Sequence, residues 1–183
     1  NFPAGCIVSV WRILEPGKQI PTANRKYFLQ VSDLCRPSTL NLIDVCNRSC
    51  SFCPKSDHKI APDTYQRMQM NLINKLTEEL KEIEYKGSVT LCGYGEPMLH
   101  KEINIICKKL SEAAFVEVVT NGDPLNPKKI HDLFVNNVNK LLISMYDGEH
   151  QVLKFKKMIK DSNVPDDFVI LRDRWYSDKV DYG

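Results

Sequence analysis

Three of the seven cysteines in this 183-residue chain lie close together, at Cys46, Cys50 and Cys53. Their spacing, CxxxCxxC, places three thiols in one short loop. Thiolates are soft ligands that suit zinc or an iron–sulfur cluster, and three of them can hold three corners of a 4Fe–4S cube. Such a cube leaves one iron open to an outside ligand, as catalysis requires, whereas an electron carrier needs a fourth cysteine. We therefore predict that these cysteines bind a metal centre.

The other four cysteines, Cys6, Cys35, Cys92 and Cys107, are scattered along the chain. Because seven is an odd number, a fully paired disulfide framework would leave one thiol over. The chain is also long enough to form a core without disulfides, so we expect a reducing compartment and a cytoplasmic protein. Cys92 and Cys107 fall on predicted core faces, and we expect them to be small buried side chains rather than ligands.

A structural zinc site is the alternative interpretation of the cysteine loop. Closed structural zinc sites take four ligands, and three cysteines with one histidine are a common set. His58 or Cys35 would supply the fourth ligand. Under this interpretation the chain would be a zinc-stabilised binding module without catalysis. In the absence of zinc, we expect His58 to be a surface residue.

The charge balance limits the classes of partner. Lys and Arg total 25 and Asp and Glu total 23, which gives a formal net charge of +2. A balance this close gives no electrostatic argument for nucleic acid or an anionic membrane, and we predict neither as a partner. The sequence also has no apolar run near the ~20 residues that span a bilayer.

Strands and helices alternate along the chain from Ser38 onward, as judged from apolar spacing. The predicted strands cover residues 38–44, 88–92, 115–120, 140–146 and 167–175. The predicted helices cover residues 62–85, 100–114, 127–137 and 148–161. Repeated strand–helix units predict a parallel sheet, and five strands are too few to close a barrel. The predicted fold class is therefore α/β, with an open or partial parallel β/α barrel.

Glycine and polar side chains stand at the ends of the later predicted strands, where open parallel sheets bind ligands. Gly93-Tyr94-Gly95-Glu96-Pro97 follows the second strand, Asn121-Gly122 follows the third, Ser144 ends the fourth, and Arg172 lies on the fifth. Each segment alone also fits an ordinary turn or a plain structural role. Their common position makes a binding site the better interpretation.

Taken with the cysteine loop, these segments resemble the motifs of the radical S-adenosylmethionine (SAM) superfamily. The cysteine spacing agrees, as does Phe52 between the second and third cysteines. Residues 93–97 resemble the glycine-rich motif of that family, and residues 119–122 and 143–148 resemble its third-strand and fourth-strand segments. The resemblance covers roughly residues 38–175. It implies a partial β/α barrel that ideally has six strands, of which about five are visible here.

The resemblance also implies a role for each site residue. Cys46, Cys50 and Cys53 would hold a 4Fe–4S cluster whose open iron binds the methionine part of SAM. Reduction would then cleave SAM, and the 5′-deoxyadenosyl radical would take a hydrogen atom from the substrate. The expected SAM contacts are Phe52 near the adenine, Gly93, Gly95 and Glu96 at the amino group, Asn121 and Ser144 at the ribose, and Arg172 at the carboxylate. No catalytic residue beyond these is assigned.

The same resemblance implies partners and a domain plan. An electron donor such as flavodoxin or ferredoxin is expected, together with a substrate that the sequence does not identify. Residues 166–183 resemble the junction to a C-terminal SPASM or auxiliary-cluster domain, and relatives of that kind favour peptide or carbohydrate and cyclitol substrates. We expect an N-terminal extension at residues 1–37, the SAM-binding core at 38–175, and the start of a truncated C-terminal extension at 176–183.

Overall fold

The computed structural model describes residues 37–175. The strands are β1 (Ser38–Leu40), β2 (Ser88–Leu91), β3 (Phe115–Thr120), β4 (Lys140–Met145) and β5 (Val169–Asp173). The helices are α1 (Met70–Glu82), α2 (Ile103–Leu110), α3 (Pro127–Val135) and α4 (His150–Asp161), with short 3-10 helices at Pro54–Ser56 and Pro97–Leu99. The sequence also predicts strands at residues 7–14 and 26–31, and these segments, like the thiols of Cys6 and Cys35, lie outside the described residues. None of the helices in residues 37–175 combines the length and the apolar composition that a membrane span requires.

All five strands pair in parallel, and their order in the sheet is their order in the chain. Each crossover therefore moves one strand further in the same direction, as it does in a β/α barrel. Within residues 37–175, β1 and β5 each pair with a single neighbour, so the sheet is open. The predicted α/β class with a partial parallel barrel is confirmed.

The two faces of the sheet differ because side chains alternate along each strand. One face is buried and packs against the helices: Val118 of β3 and Leu141 of β4 form one core with Ile106 of α2 and Phe155 of α4. Most side chains on the other face are only partly buried, including Glu117 between the buried Val116 and Val118, although Ser144 of β4 is buried there. This second face is the one that a barrel would enclose.

The first strand and first helix are shorter than predicted. After β1, Ile43 forms an antiparallel bridge with Arg67, and the Met68 N–H donates to the Leu42 carbonyl at 2.8 Å. The residues just before Met70 are therefore held in extended pairing, although their apolar spacing also fits a helix. By contrast, β3 has the predicted bounds, and α3 begins at the predicted Pro127, whose missing N–H costs little there.

The two cysteines expected in the core behave differently. Cys107 on α2 is fully buried, and burial raises the pKa of its thiol to about 12, so it stays protonated. For Cys92 the prediction is wrong, because its side chain is only partly buried. It follows Leu91, which faces the core, and alternation places Cys92 on the open face of the sheet.

Candidate active site at the carboxyl edge of the sheet

The cysteine loop, residues 46–53, follows β1 and lies at the edge where the strands end. The thiols of Cys46, Cys50 and Cys53 are unpaired and partly buried, and the Cys53 N–H donates to the Cys50 carbonyl at 2.9 Å. Burial raises the pKa of the Cys46 and Cys50 thiols, and repulsion from the nearby Cys53 raises both further. A metal centre would remove that repulsion and favour the thiolates. The donor set thus fits three corners of an iron–sulfur cube.

A single metal ion fits these side chains less well. Within residues 37–175, no three His, Cys, Asp or Glu side chains converge as the ligands of one ion must. A four-iron cube is held at its corners, so its ligands need not point at one centre. His58, a candidate fourth zinc ligand, is exposed. Cys35, the other candidate, lies outside the described part of the chain.

Arg48, inside the cysteine loop, pairs with two carboxylates that follow neighbouring strands. Its Nε and Nη2 donate to Asp123 at 2.6 and 2.8 Å, and its Nη1 and Nη2 donate to Asp147 at 2.7 and 2.6 Å. The guanidinium also lies 5.6 Å from the ring centroid of Tyr146. The hydrogen bonds that Arg48 donates to Asp147 and Asp123 raise the pKa of Arg48, and the bonds to Asp147 lower the pKa of that carboxyl group. We call Arg48, Asp123 and Asp147 the Arg48 bridge.

Asn121 forms a second connection between the loop and β3. Its Nδ2 donates to Asn47 Oδ1 at 2.9 Å and lies 3.8 Å from Cys46 Sγ, while its Oδ1 accepts from the Asp123 N–H at 3.0 Å. Asn47 in turn donates to Asp123 at 3.1 Å. The structure thus places Asn121 against the cysteine loop, and its expected contact with the SAM ribose stays a prediction.

Glu96 is buried between the ends of β2 and β3, with 3% of its surface exposed. Its Oε1 accepts from the Met98 N–H at 2.9 Å and the Thr120 hydroxyl at 2.7 Å, and its Oε2 accepts from the Asn121 N–H at 2.9 Å. Burial raises the pKa of this carboxyl above its ordinary value, and the three hydrogen bonds partly offset the rise. Glu96 therefore fixes the backbone of Asn121, and its expected contact with the amino group of SAM stays a prediction.

The glycine-rich segment 93–97 packs closely on the chain that leads to Cys46. The Gly95 N–H donates to Asn41 Oδ1 at 3.2 Å, and the Glu96 N–H donates to the Val45 carbonyl at 2.9 Å. A Cβ at Gly95 would lie 1.7 Å from the Ile43 carbonyl oxygen, so no side chain fits there. Glycine is required at this position by the close approach of two backbones.

The remaining predicted site residues lie on or beside the last two strands. Arg172 on β5 donates from Nη2 to the Ser144 hydroxyl at 3.2 Å, while its buried Nε has no acceptor among the described residues. Burial lowers the pKa of this guanidinium, and the charge of Arg174 adds to that effect. Phe52 is 51% exposed, and its ring centroid is 5.6 Å from that of Tyr146. An anion beside Arg172 would satisfy the free donor.

Sequence motifs alone do not reveal the roles of Arg48, Asp123 and Asp147. The only signal for the two aspartates is their position, since each follows the end of a strand in the segments 119–123 and 143–148. Polar residues there face the ligand-binding edge of a parallel sheet. The pairing with Arg48 spans 75 and 99 residues of sequence and has no local signature.

We expect Gly122→Ala to lower the free energy of unfolding more than Gly148→Ala does. At Gly122, with φ +81°, an added Cβ would lie 2.5 Å from Phe155 Cζ, whereas at Gly148, with φ +117°, the nearest atom is an ordinary 3.5 Å away. Overpacking costs about 1–3 kcal/mol, and Gly148→Ala controls for the backbone penalty. Urea unfolding measures both. The packing argument would be contradicted if the two variants lost equal free energy of unfolding. It would also be contradicted if Gly122→Ala cost as much in a Phe155→Leu background as it does in wild type.

The family model described as the radical SAM superfamily matches residues 40–169, which is more than half of the chain. The chain belongs to the radical SAM superfamily. The prediction of an enzyme of this family is thereby confirmed. The site geometry agrees with the assignment, because the cysteine loop and the three following segments meet at the carboxyl edge of the sheet.

One named enzyme and two crystal structures resemble this radical SAM chain. The S-adenosyl-L-methionine-dependent 2-deoxy-scyllo-inosamine dehydrogenase of Niallia circulans is 30% identical over 106 residues, covering 56% of this chain and 42% of the relative. The crystal structure of BtrN in complex with AdoMet and 2-DOIA matches with a TM-score of 0.64 at 23% identity. An open conformation of selenomethionine BtrN matches with a TM-score of 0.59 at 22% identity.

The structural matches each cover 76% of this chain and 56% of BtrN, and they show a shared fold. The chain thus spans about half the length of the relatives it matches.

Proposed function

We propose that Cys46, Cys50 and Cys53 hold a 4Fe–4S cluster and that SAM binds beside it, at the ends of β2 to β5. The observation that carries this proposal is the cysteine loop, which contacts the ends of β3 and β4 through Arg48 and Asn121. When bound, the cluster supplies the electron for reductive cleavage of SAM, which starts hydrogen abstraction from the substrate.

Arg172 would bind the carboxylate end of SAM, and the contact of Ser144 with the ribose stays a prediction. The Nε of Arg172 is a buried donor without an acceptor in the described chain, and a carboxylate is its natural partner. Ser144 accepts from the Nη2 of the same guanidinium at 3.2 Å, which fixes the direction in which the remaining donors point. A bound carboxylate would also offset the repulsion that Arg172 experiences from Arg174.

Glu96 would face the ammonium group of SAM. Two of its three hydrogen bonds are to Oε1, so Oε2 keeps one lone pair for a further donor. An ammonium beside the buried carboxylate would favour its ionised form and offset the effect of burial on its pKa. Gly93 and Gly95 allow this segment to pack closely against residues 41–45, which places Glu96 beside the chain that leads to Cys46.

Phe52 and Tyr146 would form an aromatic wall for the adenine. The two rings lie 5.6 Å apart with an interplanar angle of 33°, and half of the Phe52 surface is exposed. Stacking a nucleobase on such a ring buries apolar surface and contributes about 1–3 kcal/mol per base.

The substrate that we propose is a carbohydrate or cyclitol. One relative is named for a dehydrogenase acting on 2-deoxy-scyllo-inosamine, and this name favours the cyclitol side of the expectation over a peptide. Thr90 and Glu117 project from the open face of the sheet and form a hydrogen bond of 2.9 Å with each other, so this face carries polar groups that can bond a hydroxyl-rich ligand.

A flavodoxin or ferredoxin would supply the electron. The division of the chain into domains after residues 37 and 175 stays a prediction.

Anaerobic reconstitution of the 183-residue chain with iron and sulfide tests the proposal. We expect a brown protein with a thiolate-to-iron absorption band that dithionite bleaches, and release of 5′-deoxyadenosine when SAM and dithionite are both present. A sample without dithionite is the control for reductive cleavage. A colourless protein that holds one zinc per chain would instead support the zinc-stabilised binding module.

A further inference from the structure

Arg48 is the principal connection between the cysteine loop and the ends of β3 and β4. Seven side-chain hydrogen bonds join residues 46–48 to Asn121, Asp123 and Asp147 among the described residues, and Arg48 donates four of them. The Arg48 side chain is 16% exposed, against 31% for Asp123 and 48% for Asp147. The cation is thus better shielded from water than either carboxylate.

The chemistry of these three groups suits a rigid connection. A guanidinium is planar and has five donors, so it can bond two carboxylates at once in fixed directions, whereas a lysine ammonium acts as a point charge. Asp123 and Asp147 would repel each other without a cation between them. Because each follows a different strand, bonding both to Arg48 fixes the loop relative to two strands.

We propose that Arg48 is a positioning residue that shapes the cysteine loop before any metal centre binds. The Arg48 bridge would hold residues 46–53 against the ends of β3 and β4, so that Cys46, Cys50 and Cys53 are already placed when iron arrives. Preorganised ligands bind with a smaller loss of conformational entropy than ligands on a free loop. This inference rests on the proposed function for its link to the cluster, but the shaping itself belongs to the metal-free chain.

Hydrogen exchange of the metal-free chain tests the proposal directly. In Arg48→Gln we expect amide exchange in peptides covering residues 46–53 to be roughly tenfold faster, because several charge-assisted hydrogen bonds are lost, although solvent screens the more exposed Asp147. The exchange rate in Arg48→Lys should fall between those of wild type and Arg48→Gln, since an ammonium cannot bond both carboxylates in the fixed directions of the planar guanidinium. The double variant Arg48→Gln with Asp147→Asn should recover part of the protection, because the repulsion between two carboxylates is removed.

Lys81→Gln is the matched control. Lys81 also bonds two carboxylates, Glu78 at 3.1 Å and Glu112 at 2.6 Å, but it lies on α1 and its pair with Glu112 joins α1 to the region after α2. We expect its loss to leave exchange in residues 46–53 unchanged. If Arg48→Gln and Lys81→Gln give the same exchange in that loop, the proposal is overturned. Asp147→Asn is a milder second variant that keeps Arg48. Unchanged amide exchange in residues 46–53 of this variant would also contradict the proposed role of the Arg48 bridge.

The reconstituted protein gives a second readout that a purely structural role would not move. Removing a positive charge beside the cluster should lower its midpoint potential in Arg48→Gln, measured by redox titration followed by EPR, and leave it unchanged in Lys81→Gln. An unchanged potential in Arg48→Gln would argue against a position beside the cluster. If wild type fails to assemble a cluster while Arg48→Gln still loosens the loop, the proposed function fails and the shaping of the loop stands.

Discussion

Replacing any one of Cys46, Cys50 or Cys53 with Ala is expected to abolish both cluster assembly and SAM cleavage. A cube held by three protein thiolates has no spare ligand, so the loss of one leaves two irons without protein ligands. Iron and sulfide content per chain, together with the visible absorption band, measures assembly. Release of 5′-deoxyadenosine under dithionite measures cleavage.

Cys92 and Cys107 provide the controls for this prediction. Cys107→Ala should keep its full iron content and lose only stability, because the side chain is fully buried in the core. Cys92→Ser should also keep its iron, although its thiol lies on the open face of the sheet. Iron loss from Cys92→Ser equal to that from Cys50→Ala would mean that the ligand set is drawn wrongly.

Glu96→Gln is expected to weaken SAM binding by roughly ten- to a hundredfold while leaving cluster assembly intact. A hydrogen bond to a charged group is worth about 1.5–3 kcal/mol, which sets this range. In wild type both oxygens of Glu96 accept a backbone N–H, and Oε1 also accepts the Thr120 hydroxyl. The NH₂ group of a glutamine would therefore face a donor in either orientation, and one of these hydrogen bonds would be lost. The EPR spectrum of the reduced cluster during a SAM titration gives the binding midpoint.

Glu112→Gln is the control, because it makes the same chemical change on the surface, in the ion pairs with Lys81 and Lys109. Its SAM titration midpoint should match that of wild type. A matching midpoint for Glu96→Gln as well would remove Glu96 from the SAM site. Iron loss in Glu96→Gln would show instead that Glu96 acts mainly by positioning the cysteine loop, through the backbone of Asn121.

The same variant has a second readout in the pH dependence of stability. Burial raises the pKa of Glu96 above its ordinary value of 4.5, so the folded chain keeps this proton at pH values where the unfolded chain has released it. The contribution of Glu96 to the free energy of unfolding is therefore full below the ordinary pKa and is lost as pH rises through the raised one. Urea unfolding of wild type should show this decline relative to Glu96→Gln, which has no titrating carboxyl at that position.

The sheet is predictable from the sequence because its signals are local. The short, largely apolar segment from Phe115 to Thr120 predicts β3 with its observed bounds, and in the structure its buried side chains alternate with more exposed ones. The position of the site follows from the same pattern, since a parallel sheet brings all strand ends to one edge. These features depend only on neighbours in sequence.

The remaining features depend on contacts between distant residues. Residues 62–69 have helical spacing, yet residues 66–68 pair with residues 42–44 and α1 begins only at Met70. Arg48 finds its partners 75 and 99 residues away, and no spacing rule connects them. Cys92 is misplaced for a different reason, because a single residue beyond a short strand changes the face on which a side chain lies.

The pairing of residues 42–44 with residues 66–68 has a consequence for how this region can vary. Asp44 donates to the Gln66 carbonyl at 3.2 Å, and Met68 donates to the Leu42 carbonyl at 2.8 Å, so the chain returns to its starting point before α1 begins. The free energy of closing such a loop grows only slowly with its length, by roughly 0.6 kcal/mol per doubling. Insertions or deletions near the exposed turn at His58 and Lys59 can therefore be absorbed without shifting β1 against β2. The segment between Asp44 and Gln66, which contains the three clustered cysteines, is in this sense a module whose length can change separately from the sheet.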